Sequence, residues 1–345
     1  MKHIFFVISF GSIYRRVLPL IDSKKDEDIL VVTPNRSIFK FFFNYTKYPV
    51  IQVKTNPKLI TKSTWYMALS NAIKSKWEYK RLFGDITEAQ VYFFGTGTTI
   101  VLFSYIQKLA KNNTIQFYSS EPNKLEKQIK PTIIVNWKTK IICKAVKLLL
   151  GIDIQVRKDC GLYHLCIYEK FFKKNNINSH YKEFNPRIYK KYIEEIPDIE
   201  DKSILLLLSD LVGEGRVEQK TFEQEMNVLT KLLDTIYPGS YIVKPHPTMN
   251  KLHGNMQYAP DIDSYIPSQF LMYHKWKYVI ADCSAALVFP EEQNLTNVKL
   301  IELLDILTFK DIKVKQEIKQ FLQSWNPDLL FPQSFDELEE MLNEE

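Results

Sequence analysis

Five consecutive apolar residues, Ile204 to Leu208, stand between polar segments and predict a strand buried on both faces. Tyr241-Ile242-Val243 and Tyr278-Val279-Ile280-Ala281 predict two further strands of the same kind. Between the first two, Phe222, Met226, Leu229, Leu233 and Ile236 recur at helical spacing and form one apolar stripe. Thr221 and Gln224 fit a capping box near its start, and Pro238-Gly239 stops it. Strand, helix, strand, helix, strand implies a parallel sheet with right-handed crossovers. Ligands of such sheets bind outside the carboxyl ends of the strands. Three polar turns fall at that edge: Ser209 to Gly215, Lys244-Pro245-His246-Pro247, and Asp282 to Ala286.

The first half of the chain alternates in the same way. Strands are predicted at His3–Phe10, Asp28–Thr33, Val50–Val53, Val91–Phe94 and Thr114–Tyr118. Helices are predicted at Tyr14–Ile21, Ser37–Tyr45 and Ile100–Ala110, with a long amphipathic segment from about Lys58 to Leu82. Helix and strand are expected to keep alternating to about Lys174, so residues 1–185 read as one α/β domain. A polar stretch broken by Pro186 and Pro197 makes 186–202 a linker, and 203–310 the second domain. Helices at Ile312–Trp325 and Phe335–Leu342, within 311–345, are expected to pack back on the N-terminal domain. The expected fold is α/β of GT-B type: two Rossmann-like, doubly wound domains facing a central cleft. Glycosyltransferases, nucleotide-sugar 2-epimerases and some binding proteins share that outline, so fold alone does not assign function.

Composition narrows the setting. The chain has 345 residues, 45% of them apolar, enough for two cores. No run reaches the length of a membrane span and no signal-peptide cleavage site opens the sequence, so a cytoplasmic protein is expected. The formal charge is +6, and acidic residues crowd Asp336 to Glu345, leaving the rest more basic. That balance suits an acidic ligand or peripheral contact with the anionic inner face of a membrane; a lysine-rich solvated surface is the plainer account. Cys143, Cys160, Cys166 and Cys283 lack CxxC spacing, and the histidines lack metal spacing, so neither disulfide nor metal is expected. Basic clusters such as Lys170-Lys173-Lys174 carry no nucleic-acid motif.

Chemistry concentrates in the turns. Lys244 offers a point charge and His246 a ring N–H to a phosphate oxygen, with Pro245 and Pro247 fixing the turn between them. Ser284, at a strand tip, offers its hydroxyl and nearby backbone N–H groups to the same anion; an ordinary N-cap serine is the alternative. Gly213-Glu214-Gly215 lets the backbone approach a ligand, with Glu214 as a base. Glu121, in Ser119-Ser120-Glu121-Pro122, is a second candidate base. Gly95-Thr96-Gly97-Thr98-Thr99 reads as helix capping, and Asp261-Ile262-Asp263 as a chance Asp-x-Asp.

The run Leu205 to Glu218, the helix after it, Lys244-Pro245-His246-Pro247, Ile266 to Leu271, and Asp282-Cys283-Ser284 together resemble the nucleotide-binding half of bacterial GT-B sialyltransferases. Those enzymes carry HP and serine motifs and include glycosyltransferase family 52 and the polysialyltransferases. The resemblance covers roughly Leu205 to Phe289. It implies an inverting enzyme that moves sialic acid, or a related acidic sugar, from a CMP-activated donor to a glycan of lipooligosaccharide or capsule. By resemblance, His246 donates to the donor phosphate and protonates the departing CMP, and Ser284 binds the same phosphate. Lys244, Pro247, Pro267, Ser268, Cys283 and Ala285 complete the nucleotide site, and Glu214 or Glu121 serves as base. No metal or cofactor is implied. The chain departs from the pattern in three places: Ala285 stands where the serine motif is doubled, Gln269 where a carboxylate holds the ribose, and the acidic-acidic-Gly motif is incomplete. The expected partners are CMP-sialic acid, a glycan acceptor, an anionic membrane and a second copy in a homodimer, with no nucleic acid. Two rival readings are a CDP-glycerol-dependent teichoic-acid type transferase and a non-catalytic GT-B nucleotide-binding module.

Overall fold

A computed structural model describes residues 2–8, 13–24, 27–53, 65–94, 100–118, 141, 144–145, 147–148, 154–159, 162–167, 176–178, 199, 201–247, 249, 264–272, 274–288 and 298–344. The chain divides into two compact units, Met1–Asn185 and Pro186–Glu345.

The first unit holds strands β1 (Lys2–Val7), β2 (Asp28–Thr33), β3 (Val50–Gln52), β4 (Gln90–Phe94), β5 (Thr114–Tyr118), β6 (Ile154–Asp159), β7 (Leu162–Ile167) and β8 (Asn176–Asn178). Its helices are α1 (Leu18–Asp22, after one π-helical turn at Ile13–Val17), α2 (Arg36–Tyr45), α3 (Trp65–Phe83) and α4 (Ile100–Leu109). Six strands form a sheet in the order β3-β2-β1-β4-β5-β8, every pair parallel. Ile4 to Val7 are all buried, as a central strand covered on both faces requires. On one face Ile4, Phe6, Val91 and Phe93 pack against Leu102, Tyr105, Ile106 and Leu109 of α4. Asn35 starts α2 by accepting the Ser37 and Ile38 N–H groups. The expected helix-strand alternation is corrected after β5: β6 and β7 form an antiparallel pair, Ile154 opposite Ile167.

The second unit holds β9 (Ile204–Leu208), α5 (Gln219–Ile236), β10 (Tyr241–Pro245), α6 (Ser268–Leu271), β11 (Tyr278–Ala281), β12 (Lys299–Glu302), α7 (Ile312–Trp325) and α8 (Phe335–Asn343). Single 3-10 turns follow β11 (Ala285–Val288) and β12 (Leu303–Asp305). The sheet order is β10-β9-β11-β12, all parallel, with Ile204 level with Tyr241 and Tyr278. All five β9 residues are buried. Phe222, Met226, Leu229 and Leu233 of α5 are fully buried against this sheet, each contributing about 1.5–3 kcal/mol. The helix begins at Gln219 with Glu218 at its cap, and Glu218 makes no side-chain cap bond. The expected capping box at Thr221 and Gln224 is therefore replaced by an earlier start. The strand β12 was not expected from the sequence.

Residues 311–345, read as packing back on the N-terminal domain, instead complete the core of the second unit. Leu338 and Leu342 of α8 lie in the same apolar cluster as Ile204 and Leu206. Tyr278 Oη donates to the Leu342 and Glu344 carbonyls at 3.2 and 3.1 Å, and Tyr237 Oη to Leu342 at 3.0 Å. Among the described residues no helix is long and apolar enough to cross a membrane.

Candidate functional site

The carboxyl ends of β9, β10, β11 and β12 gather the polar residues of the second unit. The loop after β9 folds on itself. Asp210 Oδ1 accepts the Gly213 N–H at 3.1 Å, and its carbonyl accepts the Glu214 N–H at 2.8 Å. A Cβ on Gly213 would lie 2.4 Å from Asp210 Oδ1, so a side chain there would have to displace the Asp210 carboxyl. Gly215, at φ +72°, reverses the chain into Arg216. Glu214 is ion-paired with Arg216 (2.7 Å), and Arg216 also reaches the Cys283 sulfur at 3.6 Å. Ser209 ties this loop to β11: its N–H donates to Asp282 Oδ1 and its hydroxyl to the Cys283 carbonyl at 2.9 Å.

At the end of β10 the two expected phosphate donors part company. Lys244 is 3% exposed and donates to the Pro245 and Ser264 carbonyls at 2.8 and 2.9 Å. Burial pulls its amine from 10.5 down to about 7. In this structure Lys244 pins the β10 turn to the segment that leads into Pro267. His246 is exposed. Desolvation of its ring, with some help from Lys244, holds the imidazole below its usual 6.5, while Glu214 and Asp210 oppose that shift. A neutral ring keeps one N–H donor. The His246 carbonyl accepts the Met249 N–H at 3.0 Å, which closes the turn around it. Pro267 is buried at the start of α6, and Ser268 beside it is half-buried.

The turn after β11 is shaped by a residue that sequence reasoning missed. Glu302, at the end of β12, is fully buried and accepts the Cys283 N–H at 2.6 Å and the Ser284 N–H at 3.3 Å. Cys283 sits at φ +92°, a conformation that costs a non-glycine residue about 1–3 kcal/mol and persists only where the surroundings enforce it. Two N–H bonds into one buried carboxyl supply that enforcement. The Cys283 and Ser284 N–H groups, part of the backbone expected to face an anion, donate to Glu302 in this structure. The Ser284 hydroxyl accepts the Ala286 N–H at 3.2 Å, which leaves its own hydrogen as a donor. Asp282 is fully buried too, and its Oδ2 has no partner among the described residues. Burial pushes both carboxyls well above their usual range, with the Asp282 charge adding to Glu302 and the Glu214 charge adding to Asp282. Burial pushes the Cys283 thiol up to about 12, with Glu302 adding to it, so this sulfur is no nucleophile at neutral pH.

The chain resembles solved structures in outline. Over 99% of its length it is similar to the glycotransferase of kitacinnamycin (89% of that chain, 9% identity, TM-score 0.48). Over its whole length it is similar to the glycosyltransferase VinC in complex with DTDP (92% of that chain, 8% identity, TM-score 0.43). It is also similar to a UDP-N-acetylglucosamine 2-epimerase (99% of this chain, 86% of that one, 12% identity, TM-score 0.42). No protein-family model and no curated protein matches the sequence.

The structure thus brings Glu214, His246, Cys283 and Ser284 to one sheet edge, and the Glu214 charge is felt at His246, Asp282 and Cys283. Glu121, Gly95–Thr99 and Asp261–Asp263 lie outside the described residues, as does the side chain of Ala285. Among the described residues no three His, Cys, Asp or Glu side chains cluster as metal ligands. Arg216 and Glu302 are the additions. Arg216 follows the Gly-Glu-Gly turn directly, so a cation beside the candidate base was legible. Glu302 was not, because a carboxylate inside an apolar strand carries no signal until its backbone partners are placed.

Proposed function

We propose that the second unit binds a nucleotide sugar at the carboxyl edge of its sheet and that the chain is a glycosyltransferase. The reading rests on one observation: His246 and Ser284 follow the two strands that flank β9, and the loop after β9 is hydrogen-bonded to the β11 turn and places the Glu214 charge near His246. In the finer form of the proposal the donor is CMP-sialic acid or a related CMP-activated acidic sugar, transferred with inversion to a glycan acceptor. This rests on the resemblance of the HP and serine segments. His246 donates its ring N–H to the single donor phosphate, and the Ser284 hydroxyl donates to the same group. Both are neutral donors, so the phosphate keeps its charge until Arg216, freed from Glu214, turns toward it. Glu214 then removes the proton of the acceptor hydroxyl. Lys244 and Glu302 hold the two turns in place and touch no substrate.

Release of CMP is measured for CMP-sialic acid, CMP-Kdo and CDP-glycerol, and release of DTDP for a DTDP-sugar, each with glycan acceptors. The proposal expects turnover of a CMP-sugar that survives chelation with EDTA. Turnover of CDP-glycerol alone would move the chain to the teichoic-acid type transferases, and CMP binding without any turnover to the non-catalytic modules. Glu214→Gln is expected to lower turnover by roughly two to four orders of magnitude with nucleotide binding intact. An unchanged rate would move the base elsewhere.

A further inference from the structure

The outward face of α3 fits a partner that the nucleotide site does not explain. Ile73 and Trp77 are 47% and 79% exposed, one helical turn apart. Lys76, Lys80 and Arg81 share their face at spacings of three, seven and eight from Ile73, and Lys74 flanks it; all four cations are exposed. The one acidic residue of the helix is turned away, since Glu78 accepts the Tyr105 hydroxyl at 2.7 Å. Ser75 and Phe83 fill the buried side. Lys108 and Lys111, at the end of α4, extend the positive field: burial, then Lys76 and Lys111, lower the Lys108 amine. Asp85 and Glu88 come only after the helix has ended. Among the described residues Trp77 has no ring partner and no hydrogen bond.

We infer that this face of α3 docks on an anionic lipid bilayer. A tryptophan and an isoleucine ringed by lysine and arginine is the composition of an interfacial helix: the apolar pair enters the headgroup boundary, and the cations meet lipid phosphates. The lysine and arginine stems are long enough to lie along the boundary while their charges stay in water. A second copy of the chain is a poor occupant, because a twofold contact through this face would set like charges opposite one another. The inference concerns the first unit alone and stands whether or not the second unit transfers a sugar.

The full chain is sedimented with vesicles of phosphatidylcholine, with and without phosphatidylglycerol, at low and high salt. Binding is expected only with phosphatidylglycerol and is expected to weaken at high salt. Each cation near such a surface strengthens attachment about fivefold, so Lys76→Glu with Lys80→Glu is expected to weaken it roughly a hundredfold or more. Trp77→Ser is expected to weaken it about tenfold. These side chains are exposed, and unchanged melting of each variant is the folding control. Equal binding to both vesicle types, or wild-type binding by both variants, would overturn the inference. So would dimerisation lost in Trp77→Ser, which gives the face to a second copy. Tighter binding of a single-stranded oligonucleotide than of the vesicles would likewise overturn it.

Discussion

The two units have parallel sheets, yet His3 in the first and Lys244 and Glu302 in the second are buried at opposite ends of their strands and bond to different partners. In the first unit, His3 is fully buried near the amino end of β1; its Nδ1 meets Tyr92 Oη at 3.0 Å and its Nε2 meets Glu27. Tyr92 stacks on Phe5 at 4.6 Å. There, side chains satisfy side chains. In the second unit Lys244 and Glu302 are buried at the carboxyl edge and satisfy backbone carbonyls and N–H groups of loops. A side-chain network of the first kind stabilises a sheet. A side-chain-to-loop network of the second kind fixes the shape of turns, and it does so at the edge where ligands of such sheets bind.

Lys244 offers the largest test of that contrast. In the unfolded chain its amine titrates near 10.5, and in the folded one near 7. Between those values the unfolded chain binds a proton that the folded chain does not, so this residue makes stability rise with pH. The slope approaches about 1.4 kcal/mol per pH unit, for a total of roughly 3–5 kcal/mol. Lys244→Met is expected to remove that rise, measured as the difference between the two proteins in urea unfolding across the range. Parallel pH profiles would mean that the amine is charged and solvated.

Glu302→Ala comes next. It strands the Cys283 and Ser284 N–H groups and frees Cys283 from its positive φ, so a loss of roughly 3 kcal/mol is expected. Hydrogen exchange should show the loss in β11 and β12 while β1 and β4 keep their protection. A loss below about 1 kcal/mol would mean that water replaces the carboxyl and the turn holds itself.

His3→Leu should give the mirror image with a smaller effect. Tyr92 and Glu27 lose their partner, at a cost of about 2 kcal/mol. Exchange should rise in β1 and β4 and stay constant in β9 to β12, with CMP affinity unchanged. Altered CMP affinity would tie the amino edge of the first sheet to the ligand site and undo the comparison.

The parts legible in sequence were those governed by apolar burial. Ile204 to Leu208 is a strand over those same residues because every position is covered on both faces. The stripe from Phe222 to Leu233 is buried for the same reason. Positions where a charged side chain is satisfied by distant backbone escaped. The strand Lys299–Glu302 ends in a carboxylate that polarity assigns to the surface, and its acceptor role depends on Cys283 and Ser284 arriving from another strand. Lys244 was read as facing a ligand because strand alternation says nothing about the Ser264 carbonyl, which lies twenty positions on. The positive φ of Cys283 has no local signature at all, whereas Gly215 and Gly239 announce theirs.

The central claim is that the carboxyl edge of the second sheet holds a nucleotide phosphate through His246. Its most direct test is calorimetric titration of CMP into the wild-type chain and His246→Ala. Loss of one hydrogen bond to a charged group is expected to cost roughly 1.5–3 kcal/mol, a tenfold to hundredfold weaker affinity. Equal CMP affinity in the two proteins, or no CMP binding by the wild type, would contradict the account.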